Sequence, residues 1–136
     1  MRGLVGFVLG LVAIVLVASR LGGEAACPAI GWSSALTVEV GPGWPAAQAV
    51  RVDCSSPCGL LLSSPADEPD TITVPLAGGS ATVTFVTGSP DSVTATVLAA
   101  DGAVLTVADL DVEWVRVGGS RECGGPGEAH ATVPAP

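Results

Sequence analysis

Between residues 35 and 117, apolar side chains fall at every second position, in short runs separated by glycine- and proline-rich breaks. A two-residue period places alternate side chains on opposite faces of an extended strand, so each run can bury one face and wet the other. Leu36, Val38 and Val40 alternate with Thr37 and Glu39, and Val50, Val52 and Cys54 alternate with Arg51 and Asp53. Further runs cover 58–63 (Leu60 and Leu62 in phase), 71–76, 81–87, 93–99 and 103–108, then Leu110, Val112 and Trp114. The breaks suit reversal of the chain. Gly41-Pro42-Gly43-Trp44-Pro45 denies ladder hydrogen bonds, Gly78-Gly79 and Gly88-Ser89-Pro90-Asp91 turn, and Asp101-Gly102 is a hairpin dipeptide.

Seven to eight short strands, with no helical period after residue 25, predict an all-β chain. The expected fold is an immunoglobulin-like antiparallel β-sandwich preceded by one N-terminal hydrophobic helix. A small β-barrel is the alternative. At Trp114-Val115 the apolar parity slips, and Val115 and Val117 continue out of phase, which predicts a bulge. Gly118-Gly119 ends the last expected strand. Residues 124–136 have the composition of a mobile tail.

The first residues carry a targeting signal. Met1-Arg2 is a short positive start, and residues 3–18 run without a charge. That stretch, about sixteen residues, lies between the roughly 7–15 of a signal peptide's apolar region and the ~18 of a spanning helix. Residues 1–25 therefore read as a signal peptide or a signal-anchor helix. Small residues permit cleavage after Ala25 or after Ser19. Lipidation at Cys27 is disfavoured, because Glu24 stands three residues before it where an apolar side chain is required. Cleaved or retained, the segment leaves everything from about residue 26 onward outside the cytoplasm, as a membrane-anchored or a secreted domain.

All four cysteines follow that segment, and an even number in an exported chain of 136 residues reads as a disulfide framework. Of the three possible connectivities, Cys27–Cys123 with Cys54–Cys58 is preferred. Ser55-Ser56-Pro57 suits a tight turn that brings the inner pair into range, and the outer pair brackets the domain at 26–123. Closing the long loop is worth about 4–5 kcal/mol in the chain-entropy model, against about 2 kcal/mol for the short one. A thiol–disulfide activity at Cys54 and Cys58 is the rival reading. The three-residue spacing and the lack of a following helix argue against it.

Charge and composition narrow the function. The net charge is −8, with 13 acidic residues against 5 basic ones, all arginine. Such a surface repels phosphate backbones, so nucleic acid is not an expected partner. The single histidine, His130, falls in the expected tail, and no serine lies in a nucleophile-elbow pattern. No catalytic residue and no cofactor are expected. Asp109, Asp111 and Glu113 share one strand parity and are weak Ca²⁺ candidates; Asp67, Glu68 and Asp70 form a second acidic group on a loop. Of the tryptophans, Trp114 is in phase with the core, Trp32 is placed to pack on the Cys27 disulfide, and Trp44 in its glycine–proline loop is the candidate for binding a partner.

Cys27-Pro28-Ala29-Ile30-Gly31-Trp32, Pro90-Asp91-Ser92-Val93 and Cys123-Gly124-Gly125-Pro126 together resemble motifs of small exported β-sandwich proteins of high-GC actinobacteria. The resemblance spans the exported domain and implies an envelope location, with no particular chemistry. The expectation is a non-catalytic envelope or secreted domain acting through contact with another envelope protein. Its membrane association is through the N-terminal segment if that is retained. A module binding Ca²⁺ or glycan is the alternative.

Overall fold

The computed structural model describes residues 10–17, 26–29, 31–54, 58–60 and 70–136. Residues 10–17 form a short helix. Among the described residues no helix is long and apolar enough to cross a membrane. The rest is β: β1 (Ser34–Val40), β2 (Ala47–Asp53), β3 (Thr71–Pro75), β4 (Ser80–Phe85), β5 (Ser92–Ala99), β6 (Val104–Asp111), β7 (Val115–Arg116) and β8 (Gly127–Val133).

These strands form two four-stranded sheets, ordered β4-β1-β8-β7 and β3-β2-β5-β6, packed as a sandwich with no closed barrel. The alternation explains the layering. Leu36, Val38 and Val40 of β1, Val50 and Val52 of β2, Ala81, Val83 and Phe85 of β4, and Val93, Ala95 and Val97 of β5 are all buried. Their neighbours of opposite parity face outward. Full burial of one such side chain contributes about 1.5–3 kcal/mol.

The connectivity is that of an immunoglobulin-like Greek key with one substitution and one added edge strand, β7. β1 to β6 reproduce the order of strands B, C, C′, E, F and G: β4 pairs with β1 in one sheet, and β3-β2-β5-β6 make the other. The place beside B, ordinarily held by the first strand A, is filled by β8. It runs parallel to β1, with Leu36 opposite Ala129, Val38 opposite Ala131 and Val40 opposite Val133.

This corrects the reading of residues 124–136 as a mobile tail. They contribute β8, whose Ala129, Ala131 and Val133 are buried in the core, so the β domain does not stop at residue 123. A parallel neighbour requires a long crossover, here the entire intervening chain, and that pairing has no local signature. The expected bulge is also corrected. β6 ends at Asp111, residues 112–114 cross to the other sheet, and β7 begins at Val115. The parity slips because the chain changes layer. The register irregularities fall instead between Ala47 and Ala49 and between Val97 and Leu98. Of the strand expected over 58–63, residues 58–60 are bends or irregular, with Leu60 buried, and 61–63 lie outside the described residues.

Candidate functional site

Strand direction gives the sandwich two distinct ends. β1 and β8 begin, and β2, β4 and β6 finish, at one of them; both disulfides lie there. At the other, β1 finishes at Val40 and the chain enters the loop containing Trp44.

The disulfide end holds Cys27–Cys123, with Cα atoms 5.2 Å apart across a separation of 96 residues, and Cys54–Cys58, with Cα atoms 6.1 Å apart. These are the pairings the spacing favoured. Two disulfides suggest an oxidising, extracytoplasmic environment. Cys54 follows β2 directly and is buried, so the short bond projects from the edge of the core.

A carboxylate completes that bend. Asp70, one residue ahead of β3, is 1% exposed. Its Oδ2 accepts the backbone N–H groups of Cys58, Gly59 and Leu60 at 2.9, 3.0 and 3.2 Å. Its carbonyl accepts the Cys54 N–H at 2.9 Å. Successive N–H groups converging on an anion form a nest, and charge-assisted bonds of this kind are the stronger class. Asp70, read from sequence as part of an acidic loop group, thus works inward as a structural clamp. Asp67 and Glu68 lie outside the described residues.

Trp114 closes the same end. Its ring meets Phe85 edge-on, with centroids 5.6 Å apart and planes at 84°, and its Nε1–H donates to the Pro90 carbonyl at 2.9 Å. It is half-buried against the core, as its phase with Leu110 and Val112 implied. Gly127 starts β8 beside it: a Cβ there would stand 3.2 Å from both Trp114 Cε3 and Ser34 Oγ. Ser34 Oγ accepts the Gly127 N–H at 3.1 Å, which pins the start of β8 to the start of β1. Trp32 is also half-buried.

The acidic strand residues are not brought together. Asp109 accepts a hydrogen bond from Thr94 Oγ1 at 2.7 Å, Asp111 ends β6, and Glu113 lies in the crossover beyond it; all three are exposed. Among the described residues no group of three His, Cys, Asp or Glu side chains is placed to hold a metal ion. His130 sits on the outer face of β8, opposite Thr37 of β1.

At the other end, two successive turns fix Trp44. Its N–H donates to the Gly41 carbonyl at 3.2 Å, and its carbonyl accepts the Ala47 N–H at 3.0 Å. The half-buried indole packs against the core, and its Nε1–H donates to the Pro134 carbonyl at 2.9 Å. Beside it lies a depression of about 300 Å³ lined by Pro42, Trp44, Pro45, Leu76 and Gly79 among others. A second, of about 260 Å³, shares Val40, Gly41, Gly78 and Gly79 with it and extends to Thr132.

Among the described residues, one flank between the two ends carries no further strand. β7 pairs only with Glu128 and Gly127, so residues 129–133 of β8 have β1 on one side and no described strand on the other. Val115, 65% exposed, adjoins that stretch opposite Glu128, and Val117, 52% exposed, lies at the far end of β7, where its N–H donates to the Pro126 carbonyl at 2.9 Å. Sequence reading missed β8 and therefore this edge, although Ala129, Ala131 and Val133 do alternate with Glu128, His130 and Thr132. Small alanines between two glycine- and proline-rich flanks made that period easy to pass over.

No known protein family, no curated protein and no solved structure matches this chain.

Proposed function

We propose that this chain is an exported, non-catalytic module of the cell envelope or extracellular space that acts through contact with another protein. The observation that carries this reading is the open β7–β8 edge. A strand presenting unpaired backbone groups is a template for an incoming strand, which gains main-chain hydrogen bonds for affinity and side-chain contacts for specificity. Exposed Val115 and Val117 supply the apolar part of such a contact. Residues 1–25 direct export, and the two disulfides and the shared motifs support the same location.

The test is site-specific photocrosslinking in the intact envelope, with the crosslinker at Val117 or, for comparison, at Asp101 in the exposed hairpin turn. A discrete adduct from position 117 and none from 101 is the expected outcome. Equal labelling from both positions, or none from 117, would remove the edge as the contact surface. N-terminal sequencing of the mature protein distinguishes a retained anchor (Met1) from a cleaved signal (Ala26).

A further inference from the structure

We propose that the Trp44 loop is a docking site for an extended, uncharged, proline-containing segment of another polypeptide, and that residues 134–136 of this chain occupy it as an internal ligand. This goes beyond the edge contact proposed above and uses a different surface.

Three features converge. The Trp44 indole N–H is directed at the backbone carbonyl of a proline, Pro134, at 2.9 Å. Proline-rich strands lack many backbone donors but offer carbonyls, and an aromatic side chain with a single donor suits that chemistry. Gly43 supplies a seat: a Cβ there would lie 2.7 Å from Pro136 Cδ and 3.8 Å from Ala135 Cβ, so the missing side chain is what lets the proline ring approach. The surface also continues beyond the internal ligand. The depression lined by Pro42, Trp44, Pro45 and Leu76 does not include residues 134–136 in its wall, and it joins the one reaching Thr132. Among the described residues, Glu39 is the one charged side chain that lines either depression, which matches an uncharged ligand.

The internal segment enters from β8 at Val133, which is buried and paired with Val40, so residues 134–136 are tethered at the mouth of the site. Tethering gives them a high effective concentration. An external ligand must displace them, and its apparent affinity falls by the fraction of molecules in which the site is vacant.

The experiment follows the Trp44 indole N–H resonance of the full-length chain in solution. The probe is a synthetic, terminally blocked peptide reproducing residues 131–136, with a version carrying alanine for both prolines as the comparison. Pro134→Gly combined with Pro136→Gly weakens the internal ligand while keeping the chain intact. The proline peptide is expected to shift the indole resonance in this variant, at a concentration about tenfold or more below that needed in the unaltered chain. The alanine peptide is expected to leave it unmoved, and Trp44→Phe in the double-glycine background, followed through the backbone amide resonances of residues 41–47 because the indole is gone, should weaken peptide binding about fivefold, as loss of one exposed hydrogen bond implies. Should the double variant fail to fold, the titration of the unaltered chain at high peptide concentration still decides. No indole shift at saturating peptide, equal response to both peptides, or undiminished binding by Trp44→Phe would each overturn the proposal. So would a concentration-dependent dimer of the unaltered chain that accounts for all of the shift, because the ligand would then be a second copy. None of these outcomes bears on crosslinking at Val117.

Discussion

The two ends of the sandwich are closed by different chemistry. One has two disulfides, a buried carboxylate gathering three N–H groups, and a tryptophan set against Phe85. The other has one indole hydrogen bond and the contact between Gly43 and Pro136. The first set of restraints is covalent or desolvated, so each is costly to undo. The second is half-exposed, and water can replace most of what it loses. The difference teaches where contacts are cheap to break: those of the Trp44 end are, while the disulfide end holds the strands in register.

The largest effect is expected from Cys27→Ser with Cys123→Ser. Opening a loop with a separation of 96 residues should lower stability by about 4–5 kcal/mol, read from urea unfolding. A loss below about 1 kcal/mol would mean that the outer disulfide does not hold this end. Asp70→Ala comes next. Three inward N–H groups lose one charged acceptor, and a loss of about 3 kcal/mol is expected, with Asp70→Asn recovering part of it because an amide oxygen still accepts.

Cys54→Ser with Cys58→Ser should cost about 2 kcal/mol, less than Asp70→Ala, since the loop it closes is short. If this pair proved the more damaging, the carboxylate would be following the disulfide rather than shaping the bend. At the opposite end, Trp44→Phe keeps the ring and removes the donor. Pro134 is exposed, so its carbonyl turns to water and the expected loss is only about 1 kcal/mol. A Trp44→Phe loss equal to that of Asp70→Ala would erase the contrast between the ends. The smallest expected effect is that of calcium. Millimolar Ca²⁺ should leave the melting temperature where it is with Asp109 and Asp111 intact; a rise that Asp109→Asn abolishes would reopen the ligand-binding reading.

Much of the fold was legible because strand burial leaves a local record. Leu36, Val38 and Val40, or Val93, Ala95 and Val97, declare their faces within a few residues, and Asp101-Gly102 declares its hairpin. The disulfide pairing was legible from reach and loop length. The candidate surfaces were less so. Trp44 stood out as an aromatic in a glycine–proline loop, but its partner, the Pro134 carbonyl, lies 90 residues away. Asp70 read as one more solvated acid, because nothing near it says that three amides will converge on one oxygen.

By itself, then, the sequence determined an acidic, cysteine-paired chain that layers its strands by alternation, since hydrophobic period and covalent reach act over short stretches or on side-chain identity alone. Only the tertiary structure decided that residues 127–133 take the place beside β1, that the parity slip at Trp114 is a change of sheet, and that Asp70 turns inward. Those outcomes depend on contacts between segments distant in the chain. A small alanine-rich strand is buried, and a carboxylate desolvated, only because the rest of the sandwich has already built the surface that receives it.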